Sequence, residues 1–177
     1  MSLLPILVSG QDKALMDKVE ALCSRNKTVS AAFTQTMTVP GKPAETYSGK
    51  YEYREGYLSM VYDKPAGRVF LIDGNTVKTT ERGETKVFDC ARNVMMKNLS
   101  HVLLDSFSGR IAHLCDEQGA VCAIEETSSA FNVTLKATKK AVRGYEKIDL
   151  IYNKRTNRLE SMVALEFGGV VNVYKIK

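Results

Sequence analysis

Tryptophan is missing altogether, histidine occurs twice and proline four times along 177 residues. Each scarcity removes a class of chemistry. Two histidines cannot build a histidine-rich metal centre, and the four cysteines (Cys23, Cys90, Cys115, Cys122) contain no C-x-x-C pair, so zinc and thioredoxin-like sites lack their spacing. His101 lies in a helical stretch with no cysteine or acid at ligand spacing, and His113 has Cys115 and Asp116 close by only as successive residues of RIAHLCDE. There is no G-x-S-x-G, no H-E-x-x-H and no glycine-rich phosphate loop. Asp73-Gly74-Asn75 reads as a turn rather than a calcium loop, because the acids that should follow are absent. The sequence therefore points to no catalytic residue, no metal and no cofactor. Long hydrophobic runs are lacking too. LLPILV (Leu3–Val8) is six residues, against about 20 for a membrane-spanning helix. The small residues Val8-Ser9-Gly10 after it match the pattern before a signal cleavage site, although no basic segment precedes the run. Residues 1–10 read either as the remnant of a secretion signal or added leader, with the mature chain starting near Gln11, or as a frayed N-terminus with no targeting role.

What is present is ordinary in amount and uneven in place. Hydrophobic residues make up 44% and charged residues 25%, enough for one domain with a real core. The net charge of +5 is concentrated: residues 134–177 hold ten Lys/Arg against four acids. Such a basic third faces an anionic lipid surface, a nucleic acid or an acidic protein, or is simply a solvated sheet face whose lysines protect its edges. The aromatic-rich segment Tyr47–Phe70 is separate from the basic third, which argues against single-strand nucleic-acid binding, where aromatics and cations share one face.

Apolar spacing predicts the elements. In DKALMDKVEALCSRN, Leu15, Val19, Leu22 and Cys23 recur at helical spacing behind Asp12 as N-cap. Thr28–Val39 alternates as a strand. Turn signals at Glu55-Gly56, Lys64-Pro65-Ala66-Gly67, Asp73-Gly74-Asn75 and Arg82-Gly83 then divide a strand meander. A helix over Asn93–Phe107, capped by Asn93, interrupts it, with Met96, Leu99, Leu103 and Phe107 on one stripe. Strands follow near 121–126, 131–137, 145–152, 158–167 and 170–176. No repeat or linker appears, so residues 1–177 form a single α+β domain, a large antiparallel sheet with a few helices. In CDEQGAVC, a turn at Gln118-Gly119 sets Cys115 and Cys122 as cross-strand neighbours, as a disulfide or as two free buried thiols.

The order of motifs resembles the LolA-like family of periplasmic outer-membrane lipoprotein carriers. Phe33-Thr34-Gln35 match its F-T-Q. Arg54 and Pro65 stand at the family's spacing in the next element, and Asp73-Gly74 close the pattern. The likeness runs from about residue 11 to the end. Glu55 stands where the family usually has proline and Met60 where it has tryptophan, so this would be a divergent member.

The resemblance implies an open, strongly curved antiparallel half-barrel, with two to three helices covering a concave apolar cavity. It implies a soluble, monomeric periplasmic carrier and not an enzyme. Such a carrier binds acyl chains of lipoproteins or lipids and shuttles them from inner to outer membrane for outer-membrane biogenesis, between an inner-membrane release complex and an outer-membrane acceptor, with no nucleic acid involved. A lipid- or lipoprotein-sensing regulatory domain of the envelope is the alternative. Phe33, Met37, Leu58, Met60, Tyr62, Val69, Leu71, Met95, Met96, Leu99 and Leu103 are the expected acyl-cavity residues as a set, while any one of them taken alone reads as plain core packing. Arg54 is the expected latch of the helical lid. Strand parity is expected to place Arg54, Leu58, Met60 and Tyr62 on one face, continued by Val69 and Leu71.

Overall fold

A computed structural model describes residues 10–177; the leader read over residues 1–10 lies, save Gly10, outside the described residues. Helix α1 (Gly10–Cys23) leads into strands β1 (Thr28–Thr38), β2 (Glu45–Arg54), β3 (Tyr57–Lys64), β4 (Ala66–Asp73), β5 (Thr76–Glu81) and β6 (Glu84–Asp89). Helices α2 (Val94–Ser108) and α3 (Ile111–Gln118) follow, then β7 (Ala120–Glu126), β8 (Ala130–Ala137), β9 (Tyr145–Asn153), β10 (Arg158–Glu166) and β11 (Val171–Ile176).

All eleven strands form one antiparallel sheet in the order β6-β5-β4-β3-β2-β1-β11-β10-β9-β8-β7. Two meanders, β1–β6 and β7–β11, are therefore sewn together along β1 and β11, where Phe33 pairs with Ile176. The edges are β6 and β7, which no ladder joins among the described residues. They are also consecutive strands in the chain, so α2 and α3 must carry the chain from one edge to the other. That crossing roofs the inner face. The fold is the expected open, curved half-barrel, with three helices among the described residues. The curvature has local causes: an open sheet this wide curls, and the ladders slip at Ser48/Gly49, Tyr62/Asp63, Leu159/Ser161 and Leu165/Glu166, each slip bending its strand.

Period-two burial sorts the faces. Phe33, Tyr47, Tyr51, Tyr53, Leu58, Met60, Tyr62, Ile72, Phe131, Val133, Leu135, Ile148, Leu150, Tyr152, Leu159 and Met162 are buried on the inner side. The helices complete the core with Met16, Val19, Leu22, Val102, Leu103, Phe107, Ile111 and Leu114. Two details depart from expectation. Because α1 starts at Gly10, Asp12 sits in its first turn rather than at the cap, where a carboxylate still faces the positive helix end. The segment around Cys115 is not a strand: Ile111, Leu114 and Cys115 are buried at helical spacing as α3. Cys115 and Cys122 are thus a helix–strand pair across Gly119. Both are free thiols; a hydrogen bond from Cys122 pulls the Cys115 thiol down and pushes that of Cys122 up.

The roof is closely seated. Asn93 caps α2 as expected, its Oδ1 accepting from Met96 N at 3.0 Å. Gly109 ends the helix at φ 71°, a left-handed conformation that costs other residues strain. A Cβ there would also stand 2.9 Å from both Cys23 Sγ and the Val19 carbonyl oxygen, so α1 crosses close over the α2–α3 corner.

Candidate functional site

The inner face is the candidate site, and its middle is aromatic. Tyr51 and Tyr53 pack against Phe107 of α2 at ring distances of 5.0 and 5.7 Å. Phe33 and Tyr62, on β1 and β3, meet edge to face at 5.2 Å across the intervening strand, because the residue between them in register is Gly49. Such edge-on pairs add to the area they bury.

One fully buried hydrogen bond ties roof to sheet. Carbonyls in the last turn of a helix lack intrahelical partners. In α2 the Asp105 carbonyl accepts from the backbone of Gly109 and Arg110, and the Ser106 carbonyl accepts from the Tyr152 hydroxyl of β9 at 2.7 Å. Tyr152 is 0% exposed. The Ser106 hydroxyl, also buried, has no partner among the described residues.

Toward the hairpin between β3 and β4 the inner face turns polar. Tyr62 donates to Gln35 Oε1 at 2.8 Å, and Gln35 donates to Asn172 at 3.1 Å. Tyr47 donates to Glu45. Arg68 pairs with Glu81 at 3.1 Å, its guanidinium lying 4.9 Å from the Tyr47 ring centre and 5.6 Å from that of Tyr62.

At the opposite end a cavity of about 590 Å³ opens between the end of α1, the β2–β3 and β4–β5 turns and α2. This falls inside the range of roughly 300–1,000 Å³ typical of small-molecule sites. Its floor is partly apolar (Cys23, Tyr53, Cys90, Leu104) and its rim is polar. On that rim His113 Nδ1 lies 2.6 Å from Asp105 Oδ2, and His101 Nδ1 lies 3.0 Å from Glu117. The His101 ring beside it holds the Glu117 carboxyl below its usual range. A histidine–carboxylate pair can move a proton, yet neither ring is hydrogen-bonded to a serine or cysteine among the described residues. Nor does any cluster of three metal-ligating side chains occur among them. The cluster instead braces the α2–α3 corner, Asp105 being 4% exposed.

The expected cavity residues divide. Phe33, Leu58, Met60, Tyr62 and Leu103 are buried together in the core. Met37, Met96 and Leu99 are half-buried against it. Met95 is 60% exposed at the start of α2. None of the eleven lines the 590 Å³ cavity.

The parity expectation for Arg54, Val69 and Leu71 is corrected by register. The tight Glu55-Gly56 turn pairs Arg54 directly with Tyr57, so Tyr53 pairs with Leu58 and Arg54 falls on the outer face. Its guanidinium lies 4.0 Å over the Tyr57 ring and makes no hydrogen bond to the helices among the described residues. In β4, Phe70 and Ile72 pair with Met60 and Leu58, which sends Val69 and Leu71 outward.

Sequence reasoning missed Tyr152, Arg68 and the Asp105–His113 pair. The detectable signals were an acid inside an apolar helical stripe (HVLLDSF) and an arginine inside an apolar strand (GRVFLI).

No family model matches the chain and no curated protein matches it. Solved structures with a similar course exist. A LolA-superfamily protein from Nitrosomonas europaea is 9% identical, with 93% of this chain and 90% of that one covered, at a TM-score of 0.45. A DUF1329 family protein from Desulfovibrio piger is 12% identical, with 92% and 91% covered, at 0.44. Lipoprotein LppX of Mycobacterium tuberculosis is 11% identical, with 94% of each chain covered, at 0.42. Likeness at this level assigns no ligand to the chain. No described helix is long and apolar enough to cross a membrane.

Proposed function

We propose that the chain is a periplasmic carrier that takes up acyl chains of lipoproteins or lipids between its inner sheet face and its helical roof, and moves them from inner to outer membrane. The observation that carries this reading is a broad apolar area on the inner face of an open sheet, roofed among the described residues by three helices rather than by a second sheet. A roof that spans from edge to edge can lift without breaking a strand ladder. The LolA-like motifs of the sequence support the same reading.

Energetics sets what such a site must do. Burying an acyl chain contributes about 0.8 kcal/mol per methylene, so roughly 16 carbons contribute on the order of 10 kcal/mol. The membrane offers the chain about the same. A carrier therefore needs closed and open states that differ by only a few kcal/mol, which cargo and partners can bias. In the closed state the acyl-facing residues fill their own space: Leu58 and Met60 are essentially unexposed. Uptake then means parting α2 and α3 from the sheet, starting at the 590 Å³ cavity, and exchanging core contacts for cargo contacts. Met37, Met96 and Leu99 are half-buried against the core, and the flexible methionines adapt to chains of different shape.

Tyr152 becomes the latch in this scheme, in place of Arg54. Tyr152→Phe leaves the buried Ser106 carbonyl unpaired, at a cost of about 1–3 kcal/mol. The expected result is faster amide exchange in α2 with the sheet ladders unchanged, and faster uptake of a fluorescent fatty acid. Unchanged exchange in α2 would remove the latch role.

The function itself is tested by displacement. A fluorescent fatty acid bound to the purified protein should be displaced by an acylated peptide and not by the same peptide unacylated. Failure to bind the fatty acid, or equal displacement by both peptides, overturns the reading.

A further inference from the structure

The loop between β8 and β9 has no part in that scheme, and it is the most cationic turn in the fold. From Lys136 to Lys147 the chain holds Lys136, Lys139, Lys140, Arg143 and Lys147 against the single acid Glu146. Residues 139–143 are all exposed, and Val142 at the tip is 93% exposed, more than any other large hydrophobic residue among those described.

The base of the loop is pinned on both sides. Thr138 donates to the Gly119 carbonyl from its backbone N at 3.1 Å and from its hydroxyl at 2.9 Å, and the Gly144 carbonyl accepts from Phe167 N at 3.1 Å. The tip therefore projects from a fixed stem. Of the five cations only Lys147 has an acidic partner, Asp149 at 2.8 Å; Lys136, Lys139, Lys140 and Arg143 are in no ion pair among the described residues. Lys136 stands directly opposite Lys147 across the β8–β9 ladder, so its charge sits at the stem of the loop beside the other unpaired cations.

We propose that this loop is a docking element for a membrane surface rich in anionic phospholipid. The unpartnered cations meet the phosphate headgroups, and Val142 enters the boundary between headgroups and acyl chains. Clustered lysines and arginines are drawn to anionic leaflets, and an apolar side chain at the tip adds a contribution that neutral solvent cannot supply. The loop carries no aromatic residue at its tip on which a nucleic-acid base could stack. The inference stands apart from acyl-chain carriage: the inner face can hold a fatty acid whether or not the loop docks.

The test is co-sedimentation of the full chain with vesicles of phosphatidylcholine alone and of phosphatidylcholine mixed with phosphatidylglycerol. Binding to the mixed vesicles, at least tenfold stronger than to the neutral ones and weakened by added salt, is expected. The triple variant Lys139→Glu, Lys140→Glu, Arg143→Glu should lose at least tenfold of it, and Val142→Ser should lose a smaller part that salt does not mimic. All four positions are exposed, so the melting temperature should stay at the wild-type value, which separates lost docking from lost folding. Equal binding to both vesicle types, or a triple variant that sediments like wild type, overturns the proposal. So does tight binding of DNA or of an acidic protein by a chain that ignores the vesicles.

Discussion

Gly49→Ala is expected to destabilise the protein by about 3 kcal/mol or more, and Gly49→Val to prevent folding, which overpacking against unyielding backbone explains. A Cβ at Gly49 would stand 2.1 Å from the Val61 carbonyl oxygen and 2.9 Å from the Cα of Tyr62. Both are main-chain atoms of the neighbouring strand, so no side-chain rotation relieves the clash; β3 itself would have to move. The position also lies at the ladder slip between Ser48 and Gly49, where β2 bends. A side chain there would come between Phe33 and Tyr62, whose rings meet because nothing separates them. With a total stability of about 5–15 kcal/mol for a typical domain, the loss is a large fraction. Urea unfolding followed by far-ultraviolet circular dichroism checks it. A Gly49→Ala protein with the wild-type midpoint would show that the close crossing does not shape the sheet, and the curved inner face would need another cause.

The second large effect is alkaline unfolding. Burial pushes the phenols of Tyr51, Tyr62 and Tyr145 up to about 12, and raises those of Tyr152 and Tyr174 further. In the unfolded chain a tyrosine ionises near pH 10. A group whose folded value is raised gives its full stabilisation below the unfolded value and loses it as pH climbs toward the folded one. The window is therefore pH 10 to 12. Each shifted group costs about 1.4 kcal/mol per pH unit there. Tyr51 and Tyr62 alone then remove about 5 kcal/mol by pH 12, and Tyr145 adds to the loss. Tyrosinate absorbance should rise in one cooperative step together with loss of circular dichroism, and the double variant Tyr51→Phe, Tyr62→Phe should shift that step to higher pH. A gradual rise from pH 10 in a chain that stays folded would mean that these rings are not sealed under the roof. The same step would release the roof, since a phenolate at Tyr152 could no longer donate to the Ser106 carbonyl.

Local order was legible because it is written in local spacing. Val19, Leu22 and Cys23 repeat with the period of α1, Asn93 announces α2, and alternation with glycine turns marks each strand of the meander within a residue or two. The absence of catalytic motifs and the family-like order of Phe33-Thr34-Gln35, Arg54, Pro65 and Asp73-Gly74 could also be read directly. Facing was harder. A single turn, Glu55-Gly56, decides whether Arg54 shares the side of Leu58 or opposes it, and a one-residue change of register reverses every side chain beyond it. That is why Val69 and Leu71 were expected inside, where Phe70 and Ile72 lie. The α3 helix was hidden by its length: eight residues give barely two turns of periodicity against a turn signal at Gly119.

By itself, then, the sequence determined the strands and the helices α1 and α2, but not α3, and that the chain has an oily surface to cover and a basic end. Only the tertiary structure decided which residues face inward, that β6 and β7 remain separate edges bridged by helices, and that Tyr152 donates to the Ser106 carbonyl while Arg54 lies on the outer face over Tyr57. The reason is physical. Periodicity is a property of neighbours along the chain, whereas facing, closure and the pairing of Tyr152 with Ser106, 46 residues apart, depend on how distant strands meet.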